Sequence, residues 1–191
     1  LLATGSRRRE VVENGFMPDM KNRPNIIDVV IGTGFGAGFW PWGPGTAGAA
    51  VATLIWCLYS GAFAGLGMPV VCSSYQEVLY VTAMLAVVST LVSIAPINRL
   101  EKHWGADPSR VVVDEMAGVW VTLLAVPATM EWQYVLGAFL LFRIMDIVKP
   151  LGCRWLDKNL HGGWGVMLDD ILAGVYGAVA LWGIRMVVEI W

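Results

Sequence analysis

The chain has 191 residues, of which 57% are hydrophobic and only 15% charged, against about 25% charged in an ordinary soluble domain. With 13 Lys and Arg, 15 Asp and Glu and a net charge of −2, it offers no basic field for nucleic acid, and none is expected as a partner. Ten tryptophans and long apolar runs exclude a disordered chain, and Cys57, Cys72 and Cys153 match no disulfide or metal framework.

Residues 1–24 mix Gly, Arg, Glu, Asn and Pro without a useful period. They read as a flexible tail, a leftover of expression or a mistaken start, with Met17 and Met20 as conceivable true starts. A single domain is expected over 25–191. Its charges are unevenly placed: none occurs in the 48 residues from Val29 to Gln76 or in the 21 from Val78 to Asn98.

The segment from Gly32 to Gly48 is rich in glycine and lacks both a βαβ setting and a Walker A ending. It predicts a tightly folded loop before the first span, with Thr46 capping a helix that begins near Ala47. The N–H groups at that start, around Gly45 and Thr46, could hold a phosphate; a close-packed loop without ligand is the plainer alternative.

Five apolar stretches follow: Ala47 to Gly67, Val78 to Ile97, Glu115 to Met130, Trp132 to Val148 and Asp169 to Val188. A 20-residue helix reaches about 30 Å, the thickness of the hydrocarbon core. The expected fold is all-α, a polytopic membrane helical bundle with about five transmembrane helices, four to six being the range. A soluble bundle with buried helices is the alternative. Pro69 helps end the first span, and Pro127 with Glu131 makes a tight reversal between the third and fourth.

Positive charge gives direction. Arg99, Lys102 and Arg110 lie between spans two and three; Arg143, Lys149, Arg154 and Lys158 lie around the connection from four to five. Arg7, Arg8 and Arg9 lie in the tail, while the other connections carry Glu77 and Glu131. The positive-inside rule puts both long polar loops in the cytoplasm, with Arg185 as a mild conflict.

Acidic residues stand at three helix ends on that side. Asp114 and Glu115 open the third span, Asp146 closes the fourth, and Asp169 and Asp170 open the fifth after a glycine loop. Favourable interaction with a helix dipole explains each pair separately. Arg143, Asp146 and Lys149 share one helical stripe at spacings of three, which a salt bridge or a lysine reaching for headgroups would also explain. Five converging carboxylates without a cation would repel, and hard oxygen donors suit Mg²⁺. With Arg143 and Lys149 beside them, the pattern suggests phosphoryl chemistry on a lipid at the cytoplasmic surface. His103 and His161 lack zinc spacing and, like Asp28, Glu101, Asp107 and Asp157, are expected to be structural.

At these motifs the chain resembles the bacterial phosphatidylglycerophosphatase A family. The stretches are GTGFGAGFWPWGPGTAG at 32–48, VVVDEMAG at 111–118, FRIMDIVKP at 142–150 and GGWGVMLDDILAG at 162–174, in the family's order across about residues 28–189. The resemblance implies Mg²⁺-dependent removal of the terminal phosphate from phosphatidylglycerol phosphate in the bacterial inner membrane. It matches Asp114, Glu115, Asp146, Asp169 and Asp170 to the family's acidic positions and Thr46 to the threonine of its Pro-Gly-Thr segment. The chain departs from it at Ala49, where the family often has serine. The expected mechanism is metal-assisted attack by water, with an aspartyl-phosphate route left open. The rivals are a transporter or cation pathway built on the same acids, and a noncatalytic membrane scaffold. Membrane lipids are expected partners, and oligomeric state is open.

Overall fold

The computed structural model describes residues 23–67, 70–150, 152, 153, 156 and 159–190. Most of the expected tail, together with Pro69, Arg154, Asp157 and Lys158, lies outside them. The described residues form six α-helices and no strand: α1 (Ile26–Gly32), α2 (Pro44–Ser60), α3 (Tyr75–Trp104), α4 (Val113–Leu123), α5 (Trp132–Val148) and α6 (Gly163–Ile190).

Local chemistry sets the helix starts. The Asn25 side chain accepts from Ile27 N–H at 2.9 Å and opens α1. Helix α2 begins at Pro44, where a missing N–H costs nothing, behind Gly43 at φ 132°. Thr46 therefore sits inside the first turn and does not cap the helix, which starts three residues before the expected Ala47. Ser74 caps α3 by accepting from Glu77 N–H, while the Glu77 carboxylate accepts from Ser73 N–H at 2.6 Å.

Helix α4 is the hub. It packs on α2, α3, α5 and α6, and Val113, Asp114, Met116–Trp120, Thr122 and Leu123 are buried. Its 11 residues reach only about 16 Å, short of a bilayer core. Beyond Leu123 the stretch expected to run as a span to Met130 is not helical: Ala125, Val126 and Pro127 turn the chain, and Val126 is fully buried. The Tyr75 hydroxyl, at the start of α3, donates to Val126 C=O at 2.7 Å. Irregular backbone can lie within a bundle when protein groups satisfy it in this way. Arg185 does the same, donating from Nη1 to Ala125 C=O at 2.8 Å, which gives this charge a structural use.

The outer helices turn large apolar side chains outward: Leu54 and Leu58 on α2, Met84, Val88 and Leu91 on α3, Leu136 and Leu140 on α5, Val179 and Trp182 on α6. Buried indole N–H groups of the core point inward and are paired. Trp56 Nε1–H donates to Thr82 Oγ1 at 3.1 Å, and Trp120 Nε1–H to Ala52 C=O at 3.0 Å. Two helices, α3 and α6, are long and apolar enough to cross a membrane by length and composition. Helices α2 and α5 have 17 residues each, about 25 Å.

Candidate active site

The start of α2, the start of α4, the end of α5 and the start of α6 meet at one end of the bundle. A glycine contact sets the α4–α6 approach. A methyl group on Gly174 would strike Gly118 C=O, and one on Gly118 would lie 2.6 Å from Asp170 C=O. Thr122, one turn on, donates from Oγ1 to Gly174 C=O at 3.0 Å. Asp114 precedes Gly118 by four residues and Asp170 precedes Gly174 by four, so each carboxylate lies one turn from the crossing point on the same helix face. The spacing Asp-x-x-x-Gly, at 114–118 and 170–174, recurs at 28–32 away from the site, so by itself it does not mark the crossing.

A cavity of about 210 Å³ opens at this end, lined by Asp114, Glu115, Asp146, Lys149, Asp169 and Asp170. All five expected acids thus share one cavity, but they divide in two. Oxygens of Asp114, Glu115 and Asp170 lie within 4.8 Å of one another. Asp146 and Asp169 instead hold cations: Arg143 Nη1 is 2.7 Å from Asp146 Oδ2, and Lys149 Nζ is 2.7 Å from Asp169 Oδ2. Arg143 also approaches Glu115 Oε1 at 4.0 Å.

The trio has the character of a cation site. Asp114 Oδ1 and Glu115 Oε2 are buried and have no hydrogen-bond partner. Asp114 and Asp170 are only 7% and 5% exposed, so water does little to screen their repulsion. Buried carboxylate oxygens without donors, converging from two helices, fit a hard divalent ion such as Mg²⁺. Arg143 is mostly buried, and its buried Nε has no hydrogen-bond partner, which leaves a donor for an anion.

Lys149 is held by backbone geometry. It ends α5 in the left-handed region at φ 47°, with its N–H donating to Met145 C=O at 2.9 Å. The following Pro150 disfavours a right-handed helical residue at this position. The chain turns there, and the lysine reaches across to α6.

Gly45 joins α2 to the site. It is buried, and a methyl group there would collide with the Glu115 carboxylate and lie 3.3 Å from Arg143 Nη1. Thr46 beside it is exposed. Three residues the sequence reading set aside, Glu101, Asp107 and His161, line the cavity as well. Asp107 N–H donates to Glu101 Oε1 at 3.2 Å, which fixes this side of the cavity from the α3–α4 loop. Asp28 lies elsewhere, bound by Arg99 on α3 at 2.6 and 2.7 Å.

These features define an all-helical protein with an acidic, cation-flanked site at one end of its bundle. The family model for phosphatidylglycerophosphatase A matches residues 30–185, and the chain belongs to that family. A Bacteroides thetaiotaomicron protein named "Putative phosphatidylinositol-3-phosphatase" is 53% identical over 166 residues, covering 84% of this chain and 97% of that protein. Phosphatidylglycerophosphatase A of Escherichia coli is 36% identical, covering 80% of each chain. The Haemophilus influenzae protein of the same name is 31% identical, covering 82% of this chain and 87% of its own. No solved structure matches.

Proposed function

We propose that residues 25–191 form a membrane-embedded phosphatase that releases inorganic phosphate from phosphatidylglycerol phosphate, leaving phosphatidylglycerol. The observation that carries this reading is the trio Asp114, Glu115 and Asp170, with its unpaired buried oxygens, set beside the buried donors of Arg143. Asp114, Glu115 and Asp170 would hold Mg²⁺. When bound, the ion would supply Lewis-acid polarisation of the phosphate and lower the pKa of a coordinated water.

The protein's own groups have separate tasks. Arg143, kept in place by Asp146, meets the charge that develops on the phosphoryl oxygens. Gly45, lacking a side chain, leaves room for phosphate between Glu115 and Arg143, and the first-turn N–H groups of α2 favour an anion there. Lys149, held by Asp169, adds positive charge at the cavity edge. A trio carboxylate not engaged by the metal can accept the proton of the attacking water.

The bundle sits in the bacterial inner membrane as a multi-pass protein, with five passes and α4 completing its own through the 124–131 turn. Arg99, Lys102, Arg110, Arg143 and Lys149 all lie toward the site end, so the active site faces the cytoplasm. The cation-pathway alternative fits less well, because the acids open on one end of the bundle and apolar residues of α4 fill its middle.

The Bacteroides relative's name supports a second headgroup, a phosphoinositide phosphorylated at position 3. Purified protein given phosphatidylglycerol phosphate or phosphatidylinositol 3-phosphate in mixed micelles with Mg²⁺ separates the two. Faster phosphate release from the first is expected. Release from the second alone would overturn the substrate assignment, and release from neither would overturn the phosphatase reading.

A further inference from the structure

An apolar groove of about 430 Å³ lies between α2 and α5 on the outside of the bundle. Ala50, Thr53 and Cys57 form one wall, and Trp132, Leu136 and Phe139 the other. Both walls have the spacing i, i+4, i+7 (or its reverse), a single straight stripe on each helix. The next position on each stripe toward the site is Thr46 on α2 and Arg143 on α5. Arg143 pairs with Asp146 at the active site, and Gly45, next to Thr46 in the chain, approaches Arg143 there. The stripes that line the apolar groove therefore lead along both helices toward the active site.

Site and groove together fit one leaflet. From Gly45 to Cys57 is twelve residues of helix, about 18 Å, close to half of a ~30 Å hydrocarbon core. Phe63 and Met130 also line the groove. A second groove, between α5 and α6, lacks this continuity: the α5 stripe through Leu140 leads to Ile144 and Val148, both exposed and apolar.

We propose that the α2–α5 groove is an acyl-chain subsite. One fatty acyl chain of the lipid substrate lies between α2 and α5 while its phosphomonoester reaches Thr46 and Arg143. This rests on the lipid-phosphatase reading above and adds the way the lipid is held. It makes the enzyme selective for a phosphomonoester that carries a membrane-length chain over the same headgroup without one.

The test uses full-length protein in nanodiscs and a phosphatidylglycerol phosphate carrying a diazirine on one acyl chain. Phosphatidylcholine with the same chain reports ordinary contact with the bilayer. The anionic lipid should label residues 50–57 and 132–139 in excess over phosphatidylcholine. Leu136→Trp, which fills the groove at an exposed position, should remove the excess. The same variant should lower kcat/KM for the long-chain lipid about tenfold, the worth of two lost methylene contacts, and leave the deacylated headgroup ester unaffected. Equal labelling by the two lipids, or an equal loss for both substrates, would overturn the subsite. A second filling variant, Leu54→Trp, at another residue lining the groove, should repeat the result, and an unchanged ratio in both variants would also overturn it. Phosphate release is read separately, so excess labelling without release would remove the phosphatase reading and keep the groove.

Discussion

Gly118 and Gly174 meet where α4 crosses α6, and each lies four residues after an aspartate of the acidic trio. The close approach of two backbones thereby brings two buried carboxylates together, at a cost in repulsion that a cation would relieve. Packing and chemistry are coupled at this one contact.

Gly174→Val tests that coupling. The added side chain has to push against Gly118 C=O and separate the helices. Overpacking of this kind costs about 1–3 kcal/mol. A lower unfolding temperature is expected together with a loss of phosphate release. Full activity at unchanged stability would show that the crossing does not set the trio's geometry.

Asp170→Asn should have opposite effects on function and on metal-free stability. It removes one of three converging buried charges, so in chelator the variant should unfold at a higher temperature than wild type. Mg²⁺ should raise the wild-type unfolding temperature by mass action and leave that of the variant nearly unchanged. kcat should fall by about 10²-fold or more. Thermal scans with and without Mg²⁺, beside phosphate release, check all three.

Arg143→Lys keeps the charge and loses the planar set of donors that spans Asp146 and the neighbourhood of Glu115. We expect a lower kcat with a smaller change in KM, since the groups proposed to act on developing charge matter most in the transition state. A pure KM effect would make Arg143 a substrate anchor only.

Away from the site, Asp28 and Arg99 tie α1 to α3. The guanidinium hydrogen bonds hold the Asp28 carboxyl below its ordinary value of 3.8. A lowered folded-state pKa contributes stability that is complete above 3.8 and fades as pH falls through the still lower folded value. Asp28→Asn should therefore unfold at a lower temperature than wild type at neutral pH, and the gap should narrow below about pH 3.8. A gap of constant size across that range would contradict the assignment.

Much of the site was legible because charge is scarce in this chain. Asp114, Glu115, Asp146, Asp169 and Asp170 stand out against apolar runs, and alternating helix direction is enough to bring their ends together. The division of labour was not legible. The Arg143–Asp146 pair follows from its i, i+3 spacing, but that Asp169 holds Lys149 depends on the left-handed turn at Lys149 that carries the lysine across to α6. Helix α4 was overextended for a related reason. Apolar composition continues past Leu123, but Tyr75 and Arg185 satisfy turn carbonyls there, which only the tertiary structure reveals. Thr46 looked like a cap because Ser and Thr commonly are; Pro44 and Gly43 start the helix earlier.

The central claim is that Asp114, Glu115 and Asp170 hold the divalent ion on which phosphate release depends. Mn²⁺ binding to the purified, chelator-stripped protein, followed by electron paramagnetic resonance, tests it most directly. Saturable binding is expected, displaced by Mg²⁺, parallel to recovery of phosphate release, and lost in folded Asp114→Asn and Asp170→Asn. Undiminished binding in both folded variants, or full phosphate release by the stripped protein, would contradict it.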